Sequence, residues 1–162
     1  MPTGVAPHKR IADDPGVEVR AEMARAAAGD VEALEVSELE LRRGGPSYTH
    51  ETLAELRKAM PDTELVWVMG ADAALGLDSW RSPERIIELA RLAIARRERV
   101  DEEGLEEVLA RLGVDGAATV EMPEIGISSS AVRERVREGR PIGHLVPEAV
   151  AEMIAERGLY GG

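Results

Sequence analysis

The stretch Ile125-Gly126-Ile127-Ser128-Ser129-Ser130-Ala131-Val132-Arg133 reads as a loop that opens a helix. Its hydroxyls, the unpaired N–H groups of the first helical turn and an arginine one turn later would converge on one spot, which suits an anion. Serines in that position also serve as ordinary helix caps. A second candidate is Gly70-Ala71-Asp72, directly after the apolar run Leu65 to Met69. Glycine there lets a ligand approach the backbone, and Asp72 can accept from a ribose hydroxyl or an amine. A turn with its cap explains the same residues. Trp80, in Leu77-Asp78-Ser79-Trp80-Arg81, can serve as a stacking plate for a flat ring or as a core or lid anchor. Pro7-His8-Lys9-Arg10 concentrates positive charge, and a surface turn explains it equally well.

Other chemistry finds no support. There is no G-x-x-x-x-G-K-[ST] phosphate loop, no G-x-G-x-x-G and no G-x-S-x-G elbow. His8, His50 and His144 lack metal-ligand spacing. The absence of cysteine excludes disulfides, thiolate metal sites and thiol nucleophiles. Acidic pairs such as Glu102-Glu103 lie on a stretch that reads as a solvated helix face.

The elements that must position these groups alternate along the chain. Helices are expected from Asp14-Pro15 to about 28, from Thr49 to Met60, after Asp72, from Ser82-Pro83, over about 102–112, from Ser128 to Glu138 and from Pro147 to Gly158. Strands are expected at 31–36, 65–69, 92–95 and 117–122, with a short edge piece around Leu39 and Leu41. The continuous apolar run Leu65-Val66-Trp67-Val68-Met69 suggests a strand buried on both faces of a parallel sheet. This alternation points to an α/β fold with a parallel sheet and helices on both faces. Ligands in such folds bind beyond the carboxyl ends of the strands, where the candidates above fall.

The chain has 162 residues, enough for one domain, and 44% are apolar, so a packed core is expected. Its formal charge is −11, which argues against nucleic-acid binding. Eighteen of the 20 basic residues are arginines, best explained as compositional bias, and only Tyr48, Trp67, Trp80 and Tyr160 are aromatic. No apolar run approaches a membrane span and no signal peptide is visible, so a cytoplasmic location is expected.

In order and spacing, these pieces resemble bacterial nicotinate-nucleotide adenylyltransferases of the nucleotidyltransferase superfamily with an H-x-G-H motif. The resemblance runs through Pro2-Thr3-Gly4, Pro7-His8-Lys9, Ser47-Tyr48-Thr49, Thr52-Leu53, Gly70-Ala71-Asp72, Trp80, Ile127-Ser128-Ser129-Ser130 with Arg133, Leu145-Val146-Pro147 and Gly158-Leu159-Tyr160. It implies a Rossmann-like, doubly wound fold and adenylyl transfer from ATP, used with Mg²⁺, to nicotinate mononucleotide. Trp80 would stack on the nicotinate ring, with Tyr48 and Thr49 holding that end. Gly70 and Asp72 would meet the adenosine or ribose, and Ile127, Ser128, Ser129 and Arg133 the ATP. His8, Lys9 and Arg96 would lie by phosphates. The same resemblance implies ATP and the mononucleotide as partners, with neither membrane nor nucleic acid, and is compatible with a homo-oligomer.

The family's H-x-G-H motif is not in this sequence. Pro141-Ile142-Gly143-His144 lacks the first histidine and falls in the wrong segment. The sequence therefore reads as a single domain over 1–162 without its first βα unit, roughly 30–40 residues, and no catalytic residue is identified in it. Two other readings stand beside this one: a non-catalytic nucleotide-binding module, and a related nucleotidyltransferase acting on nicotinamide mononucleotide or phosphopantetheine.

Overall fold

A computed structural model describes residues 1–4, 13–29, 31–96, 101–123 and 125–161. The elements, in chain order, are α1 (Val17–Ala28), α2 (Leu39–Arg43), α3 (Thr49–Ala59), β1 (Val66–Gly70), α4 (Ala71–Ala74), a 3₁₀ turn (Leu77–Ser79), α5 (Pro83–Leu89), β2 (Arg91–Arg96), α6 (Glu102–Arg111), β3 (Ala118–Glu121), α7 (Ser129–Arg137) and α8 (Glu148–Glu156). They fall into two compact units, Met1–Ser47 with Gly126–Gly162, and Tyr48–Ile125. His8 and Lys9 lie outside the described residues.

The unit Tyr48–Ile125 contains a parallel sheet in the order β1-β2-β3, flanked by helices. The register runs from Val66 opposite Arg91 to Gly70 opposite Ala95, and from Ala93 opposite Ala118 to Arg96 opposite Glu121. The Ile86 and Leu89 face of α5 joins Leu53 of α3, Leu77, Leu92, Ile94 and Leu105 of α6 in one core. Pro83 occupies the first turn of α5, where its missing N–H costs nothing. Arg57, near the end of α3, donates to the carbonyls of Thr63 at 2.7 Å and Leu89 at 2.8 Å, tying the ends of α3 and α5 together. Asp101 caps α6 by accepting from Gly104 N at 3.0 Å.

The unit formed by the two chain ends is helical. Val132, Ile142, Val150 and Ile154 are its buried centre, with Met23 and Ala26 of α1 packed against them. Arg20 of α1 donates to the carbonyls of Thr3 at 2.6 Å and Gly4 at 3.0 Å and pairs with Asp14 at 3.1 Å. Gly4 N donates in turn to Ser47 Oγ at 3.1 Å.

Several sequence expectations are corrected. Residues 31–36 form no strand; they make turns, with Leu34 N bonding Val31 O at 2.9 Å, and Val31 and Leu34 are exposed. A strand needs a ladder partner, and the segment has none among the described residues. Residues 39–43 form the short helix α2, because Leu, Glu and Arg favour helix and a three-residue alternation is too short to specify a period. Helix α1 begins at Val17 after Gly16, whose φ of 93° breaks the path from Pro15; Asp14 accepts from Gly16 N in the preceding turn. The sheet thus has three strands where four were expected. β1 is buried on one face only: Met69 is buried, whereas Val66 and Val68 are 52% and 61% exposed. Strand β1 ends the sheet order, and among the described residues nothing covers its Val66–Val68 face.

Candidate functional site

The strand register places Gly70, Arg96 and Glu121 at the same, carboxyl end of the sheet. Gly70 closes β1 with φ −71° and ψ 151°, a conformation open to any residue, and a Cβ built on it would meet no heavy atom within 4 Å. Neither backbone strain nor packing among the described residues requires glycine there. Asp72 is exposed in α4, immediately beyond. Arg96, the last residue of β2, donates through Nη1 to the carboxylate of Glu102 in the first turn of α6, while its buried Nε has no partner among the described residues.

In the same unit Tyr48 is the N-cap of α3, and Thr49 is the helix's first residue. The Arg81 guanidinium lies 4.5 Å above the Tyr48 ring, and the His50 ring is 6.0 Å from it. Trp80 is half-buried: part of it packs against the core and the rest reaches solvent. The 3₁₀ turn that delivers Trp80 is held by Ser79 Oγ donating to Gly76 O at 2.7 Å and by the Asp78–Arg111 ion pair at 3.2 Å.

In the unit of the chain ends, Ser128 caps α7 by accepting from Ala131 N at 3.1 Å. Ser129 and Ser130 follow as the first helical residues, so their N–H groups lack intrahelical acceptors. Ile127 is exposed beside them. Arg133 donates to Ser130 Oγ at 3.3 Å and stands 6.0 Å from the Tyr160 ring. The expected convergence is therefore partial: the Ser128 hydroxyl turns back onto its own helix, while Arg133 joins Ser130. Burial raises the Tyr160 phenol above its ordinary value; Arg133 and Arg20 oppose the rise and Asp14 adds to it.

Comparison with known proteins shows the family of the chain. Residues 1–135 match the cytidylyltransferase-like family model. The probable nicotinate-nucleotide adenylyltransferase of Tropheryma whipplei (strain Twist) is 38% identical over 160 residues, covering 99% of this chain and 81% of the relative. Its counterpart in Desulfitobacterium hafniense (strain Y51) is 39% identical over 165 residues, covering 99% and 79%. The chain belongs to this adenylyltransferase family. Among solved structures, the Plasmodium falciparum nicotinic acid mononucleotide adenylyltransferase complexed with NaAD shares the fold, with a TM-score of 0.68 at 16% identity over 97% of this chain and 78% of that one.

Within the adenylyltransferase chain, sequence reading missed Arg81, Arg20 and the partnership of Arg133 with Tyr160. Arg81 had one signal, its place directly after Trp80, which the abundance of arginine obscured. Tyr160 had its rarity: it is one of four aromatics. Arg20 had none, since its carbonyl acceptors at Thr3 and Gly4 are distant in sequence.

Proposed function

We propose that the chain serves adenylyl transfer from ATP to nicotinate mononucleotide, giving deamido-NAD and pyrophosphate. An oxygen of the mononucleotide's phosphate attacks the α-phosphorus of ATP, and the bond from that phosphorus to the β-phosphate oxygen breaks as pyrophosphate leaves. Such transfer rests on positioning and charge neutralisation rather than on a covalent nucleophile. Trp80 would stack on the nicotinate ring, with Tyr48 and Thr49 at that end. Gly70 and Asp72 would meet the adenosine. Ile127, Ser128, Ser129 and Arg133 would meet the ATP, and Arg96, His8 and Lys9 the phosphates. Mg²⁺ would enter on the ATP phosphates, which commonly carry it. Among the described residues, no three His, Asp or Glu side chains group as metal ligands. No helix among them is long and apolar enough to cross a membrane, and we take the reaction to be cytoplasmic.

The observation that supports this reading best is Gly70: a glycine at a strand's carboxyl end, which no packing among the described residues requires, leaves the backbone open to a ligand. Calorimetry with ATP and with nicotinate mononucleotide tests it. Binding of both is expected, and failure of either to bind overturns the assignment. Chromatography for deamido-NAD reports turnover. Because H-x-G-H is not in these 162 residues, the rate is expected to be at least about 1,000-fold below that of a relative carrying the motif, by analogy with lost oriented contacts to developing charge. Comparable rates would show that the histidines are dispensable. Nicotinamide mononucleotide and phosphopantetheine, run as competitors, address the related-transferase reading. Binding without turnover, even in a form supplied with the motif, would favour the non-catalytic one.

A further inference from the structure

Arg81 is an unusual cation in a chain with 31 acidic residues. Other arginines of its unit meet carboxylates: Arg85 with Glu88, Arg91 with Glu64, Arg96 with Glu102 and Arg111 with Asp78. Arg57 instead donates to backbone carbonyls. Among the described residues Arg81 has neither an ion pair nor a hydrogen bond; its guanidinium rests on the face of Tyr48 at 4.5 Å. An exposed cation–π contact contributes about 0.5–1 kcal/mol, less than a charge-assisted fork to a carboxylate. The contact therefore holds the guanidinium in place without satisfying its donors. Arg81 follows Trp80, the plate proposed for the pyridine ring, directly in sequence.

We propose that Arg81 is a specificity-determining residue, its guanidinium donating to the ring carboxylate of nicotinate mononucleotide and so selecting the acid over the neutral amide. Tyr48 is the positioning residue that parks the cation. The inference rests on the adenylyltransferase reading, and it adds the side chain that distinguishes the two mononucleotides.

Calorimetry on the 162-residue chain with each mononucleotide tests it. The wild type should bind the acid about tenfold more tightly than the amide, the scale of one charge-assisted hydrogen bond. Arg81→Gln should lose that margin by weakening acid binding while leaving amide binding unchanged. Arg81→Lys should retain part of the margin, since it keeps the charge without the planar fork. Arg81 is exposed, so both variants should keep the wild-type circular dichroism spectrum, and loss of the cation–π contact should lower Tm by no more than about 2–4 °C in Arg81→Gln. An acid-to-amide ratio unmoved by Arg81→Gln, or equal weakening of both ligands, overturns the role of Arg81. A wild type that binds neither mononucleotide instead overturns the functional reading beneath it.

Discussion

Among the described residues a methyl group added at Gly70 meets nothing within 4 Å, whereas one added at Gly4 would stand 3.3 Å from Glu40 O and 3.4 Å from Gly45 O, both backbone atoms. The two substitutions should therefore separate. Gly70→Ala is expected to leave Tm unchanged or slightly higher, since alanine reduces the freedom of the unfolded chain, and to weaken ATP binding at least about tenfold by blocking close approach. Gly4→Ala should cost about 1–3 kcal/mol through overpacking, visible as a shift in the denaturant midpoint. Tyr160 gives a second test at this scale. Its raised pKa, caused mainly by burial, means that the folded protein holds the phenolic proton to higher pH than the unfolded chain does. Its stabilising contribution is thus complete below the unfolded value of about 10 and is lost as pH rises through the folded value. In a Tyr48→Phe background, ultraviolet absorbance titration should place the Tyr160 midpoint above that of a free tyrosine. A midpoint at or below the free value would contradict the burial argument. Gly70 and Trp80 were visible in the sequence because each stands alone in a recognisable setting. Arg81 was hidden because its meaning depends on a ring 33 residues earlier in the chain, which only the fold brings beneath it.

Some helix starts were legible from a cap beside an apolar face, although Asp14-Pro15 placed the start of α1 too early. Ser128 before α7 and Ser82-Pro83 before α5 mark their elements correctly, and the helix expected over about 102–112 is α6. Failures occurred where local pattern was the only guide. The valines at 31 and 36 carry strand propensity, but propensity yields to the absence of a pairing partner. Leu39 and Leu41 alternate in a segment too short to separate a period of 2 from one of 3.6. The start of α7 carries a prediction that separates cap from ligand site. Ser128→Ala should cost about 1 kcal/mol of stability, as N-cap removals do, and should weaken ATP binding. Ser128→Asp should restore the stability, because aspartate caps as well as serine, yet should not restore ATP affinity, because it puts a negative charge where an anion is proposed to sit. Thermal melts and calorimetry on the pair decide this. If Ser128→Asp binds ATP as the wild type does, the α7 start is a cap and nothing more.

For the whole molecule, the sequence conveyed class and charge better than strand number. Alternating elements and the apolar run at 65–69 identified a parallel α/β sheet, but that run could not show that Val66 and Val68 lie on a face that none of the described residues covers, because burial on a given face depends on what packs there. The charge of −11 has a consequence of its own. Ion pairs such as Arg85–Glu88 and Arg91–Glu64 are exposed and short-ranged, and pairs of that kind contribute at most about 1 kcal/mol each. The unmatched acidic charges repel one another over longer distances, and the compact state concentrates that repulsion. Added salt acts on both, but the longer-ranged term is screened first: the Debye length falls from about 30 Å at 0.01 M to about 8 Å at 0.15 M. Raising sodium chloride over that range should therefore raise Tm, by a few degrees for a net gain of about 1 kcal/mol in a chain of this size. Scanning calorimetry at fixed pH 7 measures it. A Tm that falls with salt would mean that the surface ion pairs outweigh the repulsion, and that the acidic excess is better dispersed over the fold than its net value implies.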